Sequence, residues 1–148
     1  MIEKLENTNL EIAQRIRSVF QASYKVEADL LGAKDFPPLK RPIERFVNTA
    51  TQFYGYIIDG ELAGGVEVES TPEVTDVNSL VVHPQFFRKG VGKALMEYVI
   101  QTFASERYIV ETGVENGPAT KLYLKLGFRE VDQWDTEIGI RKVKFEMR

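Results

Sequence analysis

The first stretch of the chain carries its apolar residues at helical spacing. They recur every three or four positions, as at Ile12, Ile16 and Phe20, with polar residues between them. This period predicts one amphipathic helix over residues 10–31. Gly32 follows directly and is a suitable residue for the end of that helix.

The segment after this helix is rich in proline. Pro37 and Pro38 restrict the backbone and predict a rigid extended turn over residues 35–39. A short helix is expected over residues 43–49, with Pro42 in its first turn.

Beyond this segment the apolar residues follow the period of strands. Strands are predicted over residues 53–58, 62–69, 74–82, 108–114, 128–131 and 140–147. Two further helices are expected over residues 91–105 and 118–126. The Asp59-Gly60 pair predicts a hairpin between the first two strands. Alternation predicts that the second strand separates its apolar residues from its acids, with Leu62, Val66 and Val68 on one face and Glu67 and Glu69 on the other.

The order of these elements predicts the sheet. The strands over residues 74–82 and 108–114 are joined by a helix, so they are expected to lie parallel. The remaining neighbours are expected to be antiparallel. The fold class is therefore α/β, of the α+β type: a mixed, largely antiparallel sheet with one central parallel pair and helices on both faces.

Composition narrows the classes of function. The chain has 148 residues, of which 43% are hydrophobic and 28% charged, which predicts one globular domain over residues 1–148. Its net charge of −3 disfavours a nucleic-acid-binding domain, which is usually basic. With no cysteine and one histidine, the sequence excludes disulfides, a cysteine nucleophile and a histidine-based metal cluster. It also lacks a signal-peptide pattern and a run long enough to span a membrane, so a cytoplasmic protein is expected.

One glycine-bearing turn follows a predicted strand and opens a predicted helix. It reads Gly90-Val91-Gly92-Lys93. Free backbone N–H groups and the positive end of the helix dipole make such a turn suitable for phosphate. Phe87 and Ala94 do not fit a P-loop, and Leu95 replaces the third glycine of a dinucleotide turn. Taken alone, the motif also fits a tight turn that binds nothing.

A second motif follows in the next strand–helix unit of the chain. Residues 116–128 read Asn-Gly-Pro-Ala-Thr-Lys-Leu-Tyr-Leu-Lys-Leu-Gly-Phe. The two motifs together resemble the GCN5-related N-acetyltransferase (GNAT) family, whose pattern Asn-x-x-Ala-x-x-x-Tyr-x-x-x-Gly-Phe is matched in full. That family's cofactor turn, Arg/Gln-x-x-Gly-x-Gly/Ala, is met at Gly90 and Gly92. The Arg/Gln position of that motif is occupied by Phe87. Arg88, the next residue, is a candidate for the missing positive charge.

The resemblance implies the acyl-CoA N-acyltransferase fold, with the parallel pair splayed apart, and acetyl-coenzyme A (acetyl-CoA) as donor. The backbone of Leu80, Val81 and Val82 would pair with the pantetheine arm in the gap. Asn116 would bond the pantetheine or the adjacent backbone, and Tyr123 would lie beside the thioester sulfur. Backbone N–H groups of one run of residues would hold the pyrophosphate: Arg88, Lys89, Gly90, Val91, Gly92 and Lys93.

The chemistry of a phenol also suits Tyr123 to an acid role. A thiol has a pKa of about 8.5 and a phenol one of about 10, so tyrosine is protonated at neutral pH and can protonate a departing thiolate. Since a cysteine-linked acyl-enzyme is excluded, direct transfer in a ternary complex is expected. Position alone equally fits a packed helix residue on the same face as Ala119, Leu122 and Leu126.

Three acids are candidates for the base that accepts the proton of the amine. Asp76 is the first, because it lies fourteen residues before Gly90, where some family members carry a basic glutamate. Glu67 and Glu69 are expected to act through water. For each of them, a solvated or substrate-orienting carboxylate is the alternative interpretation.

The resemblance also indicates where the acceptor would bind. Tyr24, Glu27 and Phe36 lie in the segment that usually shapes the acceptor pocket in this family. Lys40 and Arg41, close by in sequence, are expected on the solvated surface.

The function favoured at this stage is an N-acetyltransferase acting on the primary amine of a small molecule or peptide. A non-catalytic acyl-CoA-binding sensor or regulatory module is the alternative, because Phe87 departs from the motif and the base is undefined. Neither nucleic acid nor membrane is expected as a partner, and no metal. A homodimer is one option, since family members often dimerise through their C-terminal strands.

Overall fold

The computed structural model describes all 148 residues as seven strands and four α-helices. In chain order they are β1 (Ile2–Leu5), α1 (Leu10–Leu31), α2 (Glu44–Val47), β2 (Gln52–Ile58), β3 (Glu61–Ser70), β4 (Val74–Val82), α3 (Val91–Thr102), β5 (Arg107–Gly113), α4 (Gly117–Leu126), β6 (Arg129–Asp135) and β7 (Arg141–Met147). Two short 3₁₀ helices lie at Pro37–Lys40 and Pro84–Phe86.

The seven strands form one sheet in the order β1-β2-β3-β4-β5-β7-β6. The central pair, β4 and β5, is parallel, because α3 carries the chain back across the sheet between them. All other neighbours are antiparallel. The predicted fold class is confirmed.

Helices cover both faces of the sheet, and each face has its own core. On one face α1 and α2 bury Ile16, Phe20 and Phe46 against Phe53 and Val81 of the sheet. On the other, α3 and α4 pack against the middle strands through a cluster that includes Leu95, Val99, Tyr123, Val66 and Val110. Burying an aliphatic or aromatic side chain of this size stabilises a fold by about 1.5–3 kcal/mol, so the two layers hold the sheet between them.

The predicted helix over residues 10–31 is confirmed together with its ends. Asn9 caps the first turn, since its side chain accepts a hydrogen bond from the N–H of Ile12 at 3.2 Å. Gly32 ends the helix with φ +64°, a left-handed conformation that glycine adopts without a steric penalty.

Other boundaries differ from the prediction. β1 was not predicted, and β6 runs on to Asp135, four residues beyond the predicted end of that strand at residue 131. The predicted extended turn contains a 3₁₀ helix at Pro37–Lys40, and α3 ends at Thr102 rather than at Ser105.

One predicted strand face is wrong. Tyr56 pairs with Gly64 and Ile57 with Leu62, so Ala63 is an extra residue that bulges out of β3. The bulge turns Leu62 toward the core under α1, whereas Val66 and Val68 point into the core under α3.

Candidate active site

A gap opens in the middle of the sheet. The ladder between β4 and β5 runs from Val74 opposite Arg107 to Val77 opposite Val110 and then stops. On the β3 side, Ser79 pairs with Glu67 and Val77 with Val68, so the residue between them bulges out of β4. The rest of β4 up to Val82 therefore has no partner on β5, and the two parallel strands diverge.

The turn after β4 presents backbone N–H groups beside this gap. Gly90 caps α3 with φ +75°, and Arg88 also lies in the left-handed region with φ +64°. The first bond of the helix runs from the N–H of Ala94 to the carbonyl of Gly90. The N–H groups of the first three residues, 91–93, consequently have no partner inside the helix.

Positive charge surrounds the same turn. Arg88, Lys89 and Lys93 are exposed, and none of them takes part in any of the five ion pairs of the protein. A Cβ added at Gly92 would meet Leu122 at an ordinary contact distance of 3.5 Å. The packing of the chain therefore does not require glycine at position 92. A ligand that lies directly against the backbone would require it, because a Cβ would occupy that space.

Tyr123 reaches the gap from α4. Its ring packs against Phe128 and Phe145 in the core under α3 and α4. The pKa of the Tyr123 phenol is raised, first by burial and then by the charges of Glu27 and Tyr24. Those two residues belong to α1 on the opposite face, so the phenol faces the opening between the two layers.

Helix α1 forms the other wall of the gap. The Ser23 hydroxyl accepts a hydrogen bond from the N–H of Val82 at 3.2 Å. Glu27 accepts from the Thr112 hydroxyl at 3.1 Å and from Asn116 Nδ2 at 3.0 Å. One helix thus bonds to β4 on one side of the gap and to the end of β5 and the start of α4 on the other.

Asp76 lies among other acids at the closed end of the gap. It stands next to Glu69 in the pairing of β3 with β4. The pKa of Asp76 is raised, first by burial, then by the charges of Glu111 and Glu69, and Lys144 opposes this shift. A carboxyl group with a raised pKa is better suited to accept a proton than an ordinary surface aspartate.

Glu67 is not the water-linked acid that was expected. It is buried, and it forms a two-bond ion pair with Arg41 at 2.7 and 3.0 Å. It also accepts hydrogen bonds from Thr51 at 2.7 Å and Ser79 at 3.3 Å. With its oxygens occupied in this way, Glu67 anchors the segment that carries Arg41 to the sheet.

The expectation of a solvated Arg41 is also wrong. Its guanidinium lies over the ring of Phe46, 4.1 Å from the centroid, in addition to its pair with Glu67. The chain after the 3₁₀ helix at Pro37–Lys40 folds back over the sheet, which places this side chain against the core rather than in water.

A cavity of about 1210 Å³ joins these features. Most of the predicted site residues line it: Tyr24, Glu27, Phe36, Asp76, Leu80, Val82, Arg88, Gly90, Val91, Gly92, Lys93, Asn116 and Tyr123. Four others do not line it, namely Glu67, Glu69, Val81 and Lys89. For Val81 and Lys89 the prediction concerns backbone groups, so it stays a prediction. The sequence interpretation missed Ser23, Arg41, Thr112 and Glu111, none of which lies in a motif with a recognisable spacing.

Comparison with known proteins agrees with the predicted resemblance. The family model described as acetyltransferase (GNAT) family matches residues 13–128. The UPF0157 protein YqkA of Bacillus subtilis is 33% identical over 133 residues, which cover 89% of this chain and 39% of that protein. The chain belongs to the acetyltransferase (GNAT) family, and it spans about two fifths of the length of this relative.

Solved structures share the fold across almost the whole chain. The ribosomal-protein-S18-alanine N-acetyltransferase from Escherichia coli matches with a TM-score of 0.77 at 20% identity, over 99% of this chain and 92% of that one. The PaiA N-acetyltransferase from Thermoplasma acidophilum, solved in complex with coenzyme A, matches with a TM-score of 0.71 at 19% identity, over 97% and 98%. At such identities these likenesses establish the fold.

Two further properties of the structure concern membranes and metals. No helix combines the length and the apolar character that crossing a bilayer would need. No group of three or more potential metal-binding side chains comes together.

Proposed function

We propose that this chain acts as an N-acetyltransferase that uses acetyl-CoA to acetylate a primary amine. The observation that carries this proposal is a single cavity that runs from the free N–H groups at the start of α3 to the buried phenol of Tyr123. Membership of the acetyltransferase (GNAT) family supports it, and so does the coenzyme A bound to the similarly folded PaiA protein.

The residues at one end of the cavity fit a nucleotide diphosphate. The N–H groups of residues 88–93 would hold the pyrophosphate, with the positive end of the α3 dipole behind them. Arg88, Lys89 and Lys93 add charge without an acidic partner. The divergence from the family motif at Phe87 therefore removes one side-chain contact and leaves the backbone donors in place.

The open edge of β4 fits the pantetheine arm. Residues 80–82 lie beyond the last pair with β5, so this edge can accept an added strand. In the structure the N–H of Val82 donates a hydrogen bond to the Ser23 hydroxyl. When the pantetheine arm binds, it would replace this hydroxyl as the acceptor. Asn116 already uses its side chain for Glu27, Thr112 and the N–H of Ala119, which favours a role in orienting the adjacent backbone.

Bound acetyl-CoA supplies a thioester that an amine can attack with coenzyme A as the leaving thiol. Tyr123 keeps its proton over the physiological range, because its pKa is raised above that of an ordinary phenol. Since the phenol is then a weaker acid than a thiol, it stabilises charge on the leaving sulfur mainly by a hydrogen bond that strengthens as the charge develops. The absence of cysteine supports direct transfer without a cysteine-linked intermediate.

Asp76 is the proposed acceptor of the amine's proton, through water. It lines the cavity and its pKa is raised, so it is closer to the amine in proton affinity than a surface carboxylate would be. A lysine-like amine has a pKa of about 10.4, so it must lose a proton before it can attack at neutral pH.

Two measurements test the proposal. Titration of coenzyme A and acetyl-CoA into the protein in a calorimeter should give saturable heat, and an amine panel with acetyl-CoA should release thiol with at least one amine. Saturable binding without thiol release from any amine would favour the non-catalytic acyl-CoA-binding module. Absence of heat with both compounds would overturn the proposal.

A further inference from the structure

Glu27 is a carboxylate inside the cavity that has no cationic partner. It is half-buried on α1, and it accepts hydrogen bonds through Oε1 from Thr112 and Asn116. It takes part in none of the five ion pairs of the protein. Two neutral donors fix the direction of the side chain without neutralising it, so a negative charge is held in place beside the gap.

The positive charges on this side of the cavity are already neutralised. Arg41 is bound to Glu67 at 2.7 Å, and Lys142 is paired with Glu111 at 3.2 Å. Both cations line the cavity, yet each has its own carboxylate. An acceptor that enters here therefore meets a net negative charge at Glu27.

Glu27 also lies close to the proposed reaction centre. It accepts a hydrogen bond from Asn116, which caps α4, the helix that carries Tyr123. Burial is the main cause of the raised pKa of Tyr123 and the charge of Glu27 is the next, whereas the pKa of Asp76 is raised by burial and then by Glu111 and Glu69. Three carboxylates that line the cavity take part in no ion pair, namely Glu27, Asp76 and Glu137. Glu27 is the one that is hydrogen-bonded to the start of the helix that carries the phenol.

Apart from Glu27, this side of the cavity is lined mainly by apolar residues. We name as the aromatic wall the residues Phe20, Tyr24, Phe36, Pro37 and Pro38, all of which line the cavity. Phe36 packs edge-on against Tyr24 with ring centroids 6.0 Å apart, and Tyr24 packs against Phe20 at 5.9 Å. At the mouth, Leu30 and Ile138 are 47% and 45% exposed. A carbohydrate or a polycation would leave this surface without suitable contacts.

We infer that the acceptor is a primary amine with a single positive charge next to an apolar or aromatic body, bound with its ammonium group at Glu27 and its body against the aromatic wall. This inference rests on the proposed function and specifies its substrate class. A fixed carboxylate favours the charged form of the ligand, and the wall of rings favours an apolar body that fills it. A small amine and the free N-terminus of an apolar peptide share this chemistry.

The test compares two ligands that differ in charge at one atom. Binding of 2-phenylethylamine and of neutral 2-phenylethanol is measured by calorimetry on the protein saturated with coenzyme A. The amine should bind at least about tenfold more tightly, since each 1.4 kcal/mol of added interaction gives a factor of ten. Equal affinities, or no measurable binding of the amine, would overturn the inference.

Variants separate charge from structure. Glu27→Gln keeps an oxygen for Thr112 and Asn116 but removes the charge, so it should abolish the preference for the amine and leave the binding of the alcohol unchanged. Asp29→Asn is the matched control, because Asp29 is exposed on the same helix and does not line the cavity. It should retain the preference. Phe36→Ala should weaken both phenyl ligands by the same factor.

Further ligands define the class. Spermidine, a polycation without an apolar body, should bind no more tightly than 2-phenylethylamine, and tighter binding of spermidine would contradict the inference. Leucyl-phenylalaninamide, a dipeptide with one free amine, distinguishes a peptide source from a small amine by its affinity relative to 2-phenylethylamine. Thiol release is measured in parallel. Binding and acetylation of spermidine in preference to both apolar amines would refute the substrate class while leaving the N-acetyltransferase activity intact.

Discussion

At the scale of single residues, the proposed chemistry depends most directly on the phenolic oxygen of Tyr123. Tyr123→Phe removes that oxygen and keeps the ring that packs against Phe128 and Phe145. The turnover number should fall about 10²- to 10³-fold, the usual cost of removing one hydrogen-bond donor to a developing charge. The KM for acetyl-CoA and the unfolding temperature should change little. Steady-state thiol release measures the effect.

Tyr98→Phe provides the control for this substitution. Tyr98 is a half-buried tyrosine of α3 that packs against Tyr54 and does not line the cavity. Loss of its hydroxyl should leave the turnover number unchanged. If Tyr123→Phe retained activity within about twofold of the wild type, the phenol would have no role of the expected size in the transfer.

The pH dependence of the reaction is set by Asp76 if Asp76 is the base. A base acts in its deprotonated form, so kcat/KM should rise with pH through the raised pKa of Asp76 and then level off. Glu111→Gln removes a negative neighbour that helps to raise this pKa, so the rising limb should move to lower pH. Asp76→Asn should remove the limb and slow the reaction at every pH.

The measurement for Asp76 is a full pH profile of kcat/KM for the wild type and both variants. Glu115→Gln is the matched control for Glu111→Gln, because Glu115 is exposed and outside the cavity. An acid limb that stays in place in Glu111→Gln, or that persists in Asp76→Asn, would show that another group accepts the proton.

The role of a single residue could be predicted from the sequence when the residues that determine this role lie close to it in the chain. Gly90 and Tyr123 belong to short motifs, so spacing along the chain was enough to select them. Glu67 shows the opposite case. Strand alternation predicted that it points away from the valines, but the partner that covers it, Arg41, lies 26 residues away and reaches it through the fold.

At the scale of elements, the turn into α3 is the feature on which cofactor binding depends. Gly90→Ala puts a side chain on a residue with φ +75°, which costs about 1–2 kcal/mol of stability. The turn would relax toward negative φ and move the N–H groups of residues 91–93. Affinity for coenzyme A, measured by calorimetry, should therefore fall along with the unfolding free energy.

Gly60 offers the matched control for this strain. It has φ +79° at the hairpin between β2 and β3, and an added Cβ would meet nothing within 4 Å, as at Gly90. Gly60→Ala should cost similar stability and leave coenzyme A affinity unchanged. If both variants bound coenzyme A equally, the turn geometry at Gly90 would be irrelevant to the ligand.

The two strands that were missed or predicted too short, β1 and β6, are the edge strands of the sheet. β1 has four residues and one buried side chain, Leu5, so it has no alternation to detect, and it forms because β2 offers an open edge. β6 is the strand at the opposite edge of the sheet and is exposed over most of its length, so it also lacks a clear alternation of apolar and polar residues. The bulge at Ala63 left no sign in composition either, because it is defined by pairing between strands rather than by residue type.

At the scale of the whole molecule, the cavity lies between two parts of one sheet. β1 to β4 lie on one side of it and β5 to β7 on the other, joined by the four paired positions of β4 and β5 and by the bonds of α1. The helix between the two strands predicted the parallel pair, whereas the gap within that pair was implied by the resemblance to the GNAT family. The resemblance indicated Tyr24, Glu27 and Phe36 for the acceptor pocket, but not the contact of Tyr24 with Phe36 or the bonds of Glu27 to Thr112 and Asn116, which form only after folding.

A ligand that bridges the two parts should stabilise the entire domain. Coenzyme A at about one hundred times its Kd adds about 2.7 kcal/mol to the unfolding free energy. For a domain of this size each kcal/mol corresponds to about 2–4 °C, so the unfolding temperature should rise by about 5–10 °C. Pantetheine, which lacks the nucleotide diphosphate, should give a much smaller shift at the same concentration.

The size of that difference measures how much of the binding depends on the diphosphate. Arg88, Lys89 and Lys93 are exposed, so the shift produced by coenzyme A should shrink as salt screens their charge, whereas the shift with pantetheine should not. Differential scanning calorimetry at low and high salt provides both values. Equal shifts for coenzyme A and pantetheine at low salt would mean that the positive end of α3 contributes nothing to binding, and the diphosphate would have to lie elsewhere.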